Sequence, residues 1–148
     1  MNILAAAGSG IVGTLAISMV MAFGPKMGLP KMDIVGMLST MFGKPNRTLG
    51  WIMHMMMGIV FALIYAFLWS LGIGSASWLV GLLFGIGHWL VVGVMFALIP
   101  MMHAGIKSGE VEKPGLWMTN QGGLMAFMGG VMGHMVFGIV VALVYGLF

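Results

Sequence analysis

The stretch His54-Met-Met-Met-Gly-Ile-Val-Phe-Ala-Leu-Ile-Tyr65 decides the fold, because it lies inside a long apolar run and occurs twice. Eighty residues later the chain has His134-Met-Val-Phe-Gly-Ile-Val-Val-Ala-Leu-Val-Tyr145, with eight of twelve positions identical. An apolar run of about 20 residues spans the roughly 30 Å hydrocarbon core of a bilayer as a helix. The two copies therefore predict two transmembrane helices, each carrying one histidine and one tyrosine.

The composition of the whole chain indicates an integral membrane protein. Of its 148 residues, 61% are hydrophobic and 6% are charged, whereas a soluble domain has about 25% charged residues. We predict one all-α domain over residues 1–148, with four transmembrane helices at about 3–23, 48–71, 78–99 and 124–147. The 25 glycines favour close helix–helix contacts, and the absence of cysteine excludes disulfides and thiolate sites.

The first and third predicted spans also match each other, at an offset of 75 residues. Gly10, Leu15 and Pro25 recur as Gly85, Leu90 and Pro100. We therefore predict two duplicated helical hairpins, residues 1–72 and 76–148, related by a pseudo-two-fold axis along the membrane normal. The short uncharged link at 72–77 predicts that the second and third spans form a tight antiparallel pair.

All charged residues lie in two segments, 26–47 and 107–113. Four spans put both segments on one side of the membrane, and the positive-inside rule makes that side cytoplasmic, with both termini outside. Lipids are the expected partners and nucleic acid is not. Within the first segment, Asp33 and the helical spacing of apolar residues after it predict a short capped helix lying in the inner interface.

Each copy of the repeat places its histidine between two glycines on one helix face, since residues four apart lie one above another. The two stripes are Gly50, His54 and Gly58 in the first copy and Gly130, His134 and Gly138 in the second. If both stripes face the predicted axis, the two histidines face each other at equal depth.

Three interpretations of this histidine pair stay open. In the first, each neutral imidazole bonds a carbonyl or a neighbouring helix, and the glycines serve helix packing. In the second, the histidines ligate a haem b for which the four glycines make room. In the third, the histidines and methionines bind a soft metal such as Cu(I), with His54, His134, Met53 and Met135 as the ligands.

The remaining histidines and the tyrosines predict structural roles. His88 lies in the middle of the third span, and a count along the helices puts it about 10 Å deeper than the paired histidines, which argues against a three-histidine site. His103 follows Pro100 and is expected to be solvated or bound to lipid headgroups. Both tyrosines are expected to anchor the outer interface, and Trp89 to pack between helices.

No catalytic constellation is visible, because no carboxylate falls within a span and the serine and threonine hydroxyls of the first span have no adjacent base. We expect a non-enzyme. The predicted function is an accessory or assembly subunit of a larger membrane complex, such as a respiratory or metal-dependent oxidase. Its partners would be other transmembrane subunits or a second copy. The alternative is a haem b electron-transfer or copper-handling protein that uses His54 and His134.

Three segments resemble a family of small four-helix bacterial membrane proteins that is classified as a domain of unknown function. They are Gly24-Pro-Lys-Met-Gly-Leu-Pro-Lys-Met-Asp33, Gly50-Trp-Ile-Met-His54 and Gly85-Ile-Gly-His-Trp-Leu90. The resemblance covers essentially the whole chain, and His54, His88 and His134 match motif positions. It implies a multi-pass protein of the bacterial inner membrane and carries no activity.

Overall fold

A computed structural model describes all residues, 1–148, and contains helices and no strand. Four helices are long and apolar enough to span a membrane, so the predicted all-α multi-pass architecture is confirmed at this level. These four and two shorter helices are α1 (Ile3–Phe23), α2 (Ile34–Ser39), α3 (Arg47–Ser70), α4 (Trp78–Leu98), α5 (Ala104–Lys107) and α6 (Gly123–Tyr145).

The ends of the spanning helices follow local sequence. Asn2, Asn46 and Ser77 cap α1, α3 and α4, each accepting a backbone N–H with its side chain, which satisfies a donor that the first turn leaves free. Pro25 and Pro100 each convert the chain into a 3₁₀ turn after α1 and α4, because proline has no N–H for the helical ladder. Both proline stops were predicted and are confirmed.

One side of the bundle, the open side, lacks close backbone contact between neighbouring helices. Helix α1 packs against α3 and α6, and α6 also packs against α4. Helices α3 and α4 are consecutive in the chain but make little close backbone contact, so the predicted tight pairing of these two spans is wrong. Aromatic side chains lie between them, as Tyr65 and Trp69 of α3 contact Phe84 of α4.

Where the spanning helices do meet closely, glycine allows it. A Cβ at Gly10 would lie 2.7 Å from the Gly58 carbonyl oxygen, and a Cβ at Gly85 would overlap the His134 carbonyl oxygen. Gly138 lies in the same way against the Gly81 carbonyl. Such backbone contacts suit a membrane, where van der Waals packing replaces the hydrophobic effect between helices.

The two charged segments form one end of the bundle. Ala104 and Gly105 donate their backbone N–H groups to the carbonyls of Met41 and Thr40, both at 3.0 Å, so the two loops are bonded to each other. At the opposite end the Asn2 N–H donates to the Tyr145 hydroxyl at 3.0 Å, which brings the chain termini together. The side of the membrane that each end faces stays a prediction.

His103 binds the two loops together from inside. The residue is 0% exposed; its Nδ1 accepts the Ile106 N–H at 3.2 Å, and its Nε2 donates to the Met37 carbonyl at 2.9 Å. The expectation that His103 is solvated or held by headgroups is therefore wrong. The second loop folds over the first, and this covers the imidazole completely.

Asp33 caps helix α2, as predicted. The carboxylate accepts the Gly36 N–H at 2.7 Å and pairs with Arg47 at 3.1 Å. Partial burial raises the pKa of Asp33, but the Gly36 hydrogen bond and the Arg47 guanidinium outweigh it, so the pKa lies below its usual value. The helix packs on α3, and Val35 and Leu38 are buried.

The second loop inserts back into the bundle at Trp117 and Met118, which the sequence did not indicate. Both residues have positive φ, 49° and 58°, a conformation that non-glycine residues rarely hold. The Trp117 indole lies against Gly93 and donates to the Leu90 carbonyl at 3.3 Å. Leu90 is roughly 12 Å along α4 from its end at Leu98, and Met118 is 1% exposed.

Two glycines of α4 allow a matched test of the close α4–α6 contact. Gly85→Ala should lower the free energy of unfolding by about 1–3 kcal/mol, since the added methyl overlaps the α6 backbone. Gly87 has no atom within 4 Å of a built Cβ, so Gly87→Ala should be neutral or slightly stabilising through helix propensity. Thermal unfolding in detergent measures both variants. Equal melting temperatures would contradict the described packing.

Candidate functional site

Three histidines from three different helices line one cavity inside the bundle. The cavity has a volume of about 70 Å³, and His54 of α3, His88 of α4 and His134 of α6 contribute to its wall. Most of the other lining residues are apolar. With this volume, the cavity has room for water molecules or an ion.

His54 is hydrogen-bonded to Ser18 of α1. Its Nε2 lies 3.2 Å from Ser18 Oγ, and the Ser18 hydroxyl itself donates to the Thr14 carbonyl at 2.7 Å. Because that hydroxyl has only one hydrogen, the imidazole must donate and carries its proton on Nε2. The expectation that no base lies beside Ser18 is wrong, because the His54 imidazole is in contact with it. This imidazole donates its hydrogen to Ser18 and so does not act as a base towards it. His54 Nδ1 has no hydrogen bond.

His134 is fixed by its own helix. Its Nδ1 lies 2.8 Å from the Gly130 carbonyl oxygen, and because a carbonyl only accepts, Nδ1 carries the hydrogen. The ring is tilted against the Trp89 indole, with ring centroids 4.9 Å apart. His134 Nε2 therefore has a lone pair and no hydrogen-bond partner.

His88 lies beside His134, and the estimate that placed it about 10 Å away in depth is wrong. The two ring centroids are 4.7 Å apart with the planes at 86°. The estimate counted from the helix ends, whereas the contact between Gly85 and the α6 backbone at His134 sets the relative position of α4 and α6. His88 is three residues after Gly85 and so lies on nearly the same face.

His88 also bridges the open side of the bundle. Its Nδ1 lies 3.2 Å from the Tyr65 hydroxyl, and its ring stacks on Phe61 with centroids 3.6 Å apart. Tyr65 is 3% exposed, so the expectation that it anchors the outer interface is wrong. The tyrosine hydroxyl instead finds its hydrogen-bond partner inside the protein, as a buried polar group in a membrane requires.

The four glycines of the two predicted stripes contact protein atoms. A built Cβ would overlap the Val35 carbonyl at Gly50, Thr14 at Gly58, the Trp89 indole at Gly130 and the Gly81 carbonyl at Gly138. Gly58 and Gly130 also line the cavity, whereas Gly50 and Gly138 do not. The four glycines serve helix packing in this structure, and their role in holding a cofactor stays a prediction.

The methionines at the cavity are not the two predicted metal ligands. Met53 and Met135 are half-buried outside the cavity lining. Four others line the cavity: Met21, Met32, Met57 and Met118. No three side chains among histidine, aspartate and glutamate are placed to hold one metal ion.

Trp89 is buried between helices, as predicted, and its indole forms part of the cavity wall. Its Nε1–H is buried without a hydrogen-bond acceptor. An unmet buried donor costs about 1–3 kcal/mol, and the Trp69 indole N–H is buried in the same way away from the cavity.

Comparison with known proteins returns nothing for this chain: no protein-family model, no curated protein and no solved structure matches it. The resemblance to the small four-helix bacterial family stays a prediction.

The hydrogen bonds of His54 and His134 predict opposite neutral tautomers. His54 should carry its hydrogen on Nε2 and His134 on Nδ1. The ¹⁵N chemical shifts of labelled imidazoles report the tautomer, and single His→Gln variants assign the four signals. His103 serves as an internal control, because its contacts require the Nε2–H form. The same tautomer for His54 and His134 would contradict the described hydrogen bonds.

Proposed function

We propose that this protein is a non-enzymatic accessory or assembly subunit that holds a small ligand in the three-histidine cavity for a larger membrane complex. The proposed complex is a respiratory or metal-dependent oxidase. The supporting observation is that imidazoles from three helices line one small cavity. Ionisable residues at membrane depth are costly and usually mark a functional site.

The contacts of the cavity support binding over catalysis. The nine charged residues all lie in the two loop segments, so no carboxylate is available within a span as a general acid or base. Ser9, Thr14 and Ser18 donate their hydroxyl hydrogens to carbonyls of their own helix, and none is thereby activated as a nucleophile. A ligand that is bound without being converted is useful when another protein takes it up.

Haem b, the other ligand that the sequence suggested for His54 and His134, receives less support. Pockets for drug-sized ligands have volumes of about 300 Å³ or more, whereas the cavity has about 70 Å³. The space beside Gly130 is filled by the Trp89 indole, so a porphyrin would have to displace a buried side chain. An ion or a small molecule fits without such a change.

We also propose that the chain arose by duplication of a helical hairpin, with a pseudo-two-fold axis along the membrane normal. Gly10 lies against Gly58, and their counterparts Gly85 and Gly138 are likewise in contact. The turns at Pro25 and Pro100 are both 3₁₀. The membrane would be the bacterial inner membrane, with the charged end in the cytoplasm and both termini outside.

Native electrophoresis of gently solubilised membranes tests the subunit proposal. The chain, 15.7 kDa without its tag, should migrate with a larger assembly, and the same tagged chain purified alone in the same detergent is the control. Identical migration of the two samples, as a free monomer or homodimer, would contradict the proposal. Affinity purification of the assembly then identifies the partner subunits.

A further inference from the structure

We infer that the cavity is a copper(I) site in which His88, His134 and the thioether of Met57 are the ligands. The inference rests on the proposed function and names the ligand of that site. It differs from the pair that the sequence suggested, because His88 replaces His54 and the cavity-lining Met57 replaces Met53 and Met135.

The hydrogen bond of His134 is the arrangement that a metal-binding histidine usually has. Such residues donate their second ring N–H to a carbonyl or carboxylate, which fixes the ring and leaves the other nitrogen free for the metal. His134 Nδ1–H donates to the Gly130 carbonyl at 2.8 Å. Its Nε2 has no other partner and is available as a ligand.

His88 also has one ring nitrogen, Nε2, without a hydrogen-bond partner. Its Nδ1 contacts the Tyr65 hydroxyl at 3.2 Å, and this hydroxyl has no other side-chain partner. In the copper-free protein the Tyr65 hydroxyl donates to Nδ1, because it has no other acceptor. Binding of an ion at His88 Nε2 would place the imidazole hydrogen on Nδ1, where the Tyr65 oxygen would accept it. With ring centroids 4.7 Å apart, the two imidazoles are close enough for both to ligate one ion.

The third ligand is a thioether, because no third histidine or carboxylate is placed to join the pair. Met57 lines the cavity and lies one helical turn before Phe61, whose ring stacks on His88. Residues four apart share a face, so Met57 is on the side of α3 that meets His88. Two imidazoles and a thioether suit Cu(I) better than harder cations.

The charge of the site also favours a monovalent ion. All lysines, arginines, aspartates and glutamates lie in the loop segments, so the cavity offers neutral ligands and no counter-charge. Burying an uncompensated charge is costly, and the cost rises steeply with the charge of the ion. A divalent cation would therefore need a carboxylate that the spans do not contain.

The other methionines indicate a route by which the ion reaches the site. Met32 precedes α2, and Met118 belongs to the inserted second loop, so both approach the cavity from the charged end of the bundle. Met21 lies near the same end of α1. An ion entering there would pass between thioethers, which exchange soft cations without a change in charge.

Anaerobic titration of the purified full-length protein with Cu(I), against a chromophoric chelator, tests the inference. We expect one Cu(I) per chain, and X-ray absorption should show nitrogen and sulfur neighbours. His88→Gln, His134→Gln and Met57→Leu should each weaken binding at least tenfold. Met53→Leu is the matched control, since Met53 lies outside the cavity, and its affinity should be unchanged.

Elution volume and melting temperature of the copper-free variants separate lost binding from lost folding. If a histidine variant does not fold, the X-ray absorption spectrum of the copper-bound wild-type protein decides, because it shows whether nitrogen and sulfur atoms surround the copper. No binding by the wild type, or binding that all three ligand variants retain, would overturn the inference. Migration with a larger assembly but without copper would overturn the copper site and leave the proposed function standing. Copper bound to a chain that migrates alone would support the copper site and overturn the proposed subunit function.

Discussion

The close contact between α4 and α6 at Gly85 is the constraint on which the site depends. With no side chain at Gly85, the α4 backbone reaches the His134 carbonyl, and this contact sets the position of the two helices along each other. His88, one turn further along α4, is thereby brought within 4.7 Å of the His134 ring centroid. The histidine pair is thus a consequence of one glycine contact.

The open side of the bundle provides the rest of the cavity. Helices α3 and α4 are separated by aromatic rings, with Phe61 and Tyr65 on one side and Phe84 and His88 on the other. Polar groups in a membrane need internal partners, and each imidazole has one: Ser18, Tyr65 or the Gly130 carbonyl. Each also retains one ring nitrogen without a hydrogen-bond partner.

Local sequence predicted the elements well and their relative positions poorly. The span limits, the Asp33 cap and the stops at Pro25 and Pro100 follow from hydropathy and backbone chemistry within a few residues of each position. The places of His88, His103 and Tyr65 depend on how helices and loops meet, and a count along isolated helices assigns all three wrongly. The insertion of Trp117 against Gly93 is of the same kind, because nothing near Trp117 in the sequence indicates which glycine receives it.

If the chain is duplicated as proposed, one replacement accounts for the different packing of its two pairs α1–α6 and α4–α3. The counterpart of His88 in the first half is Gly13, where a Cβ would meet Phe137 and Val141 of α6, so α1 and α6 close on each other. At His88 the imidazole occupies that space and stacks on Phe61, the counterpart of Val141. The ring lies between α3 and α4 and forms part of the cavity wall. His88 therefore joins α4 to α3 through Phe61 and Tyr65 and also lines the cavity.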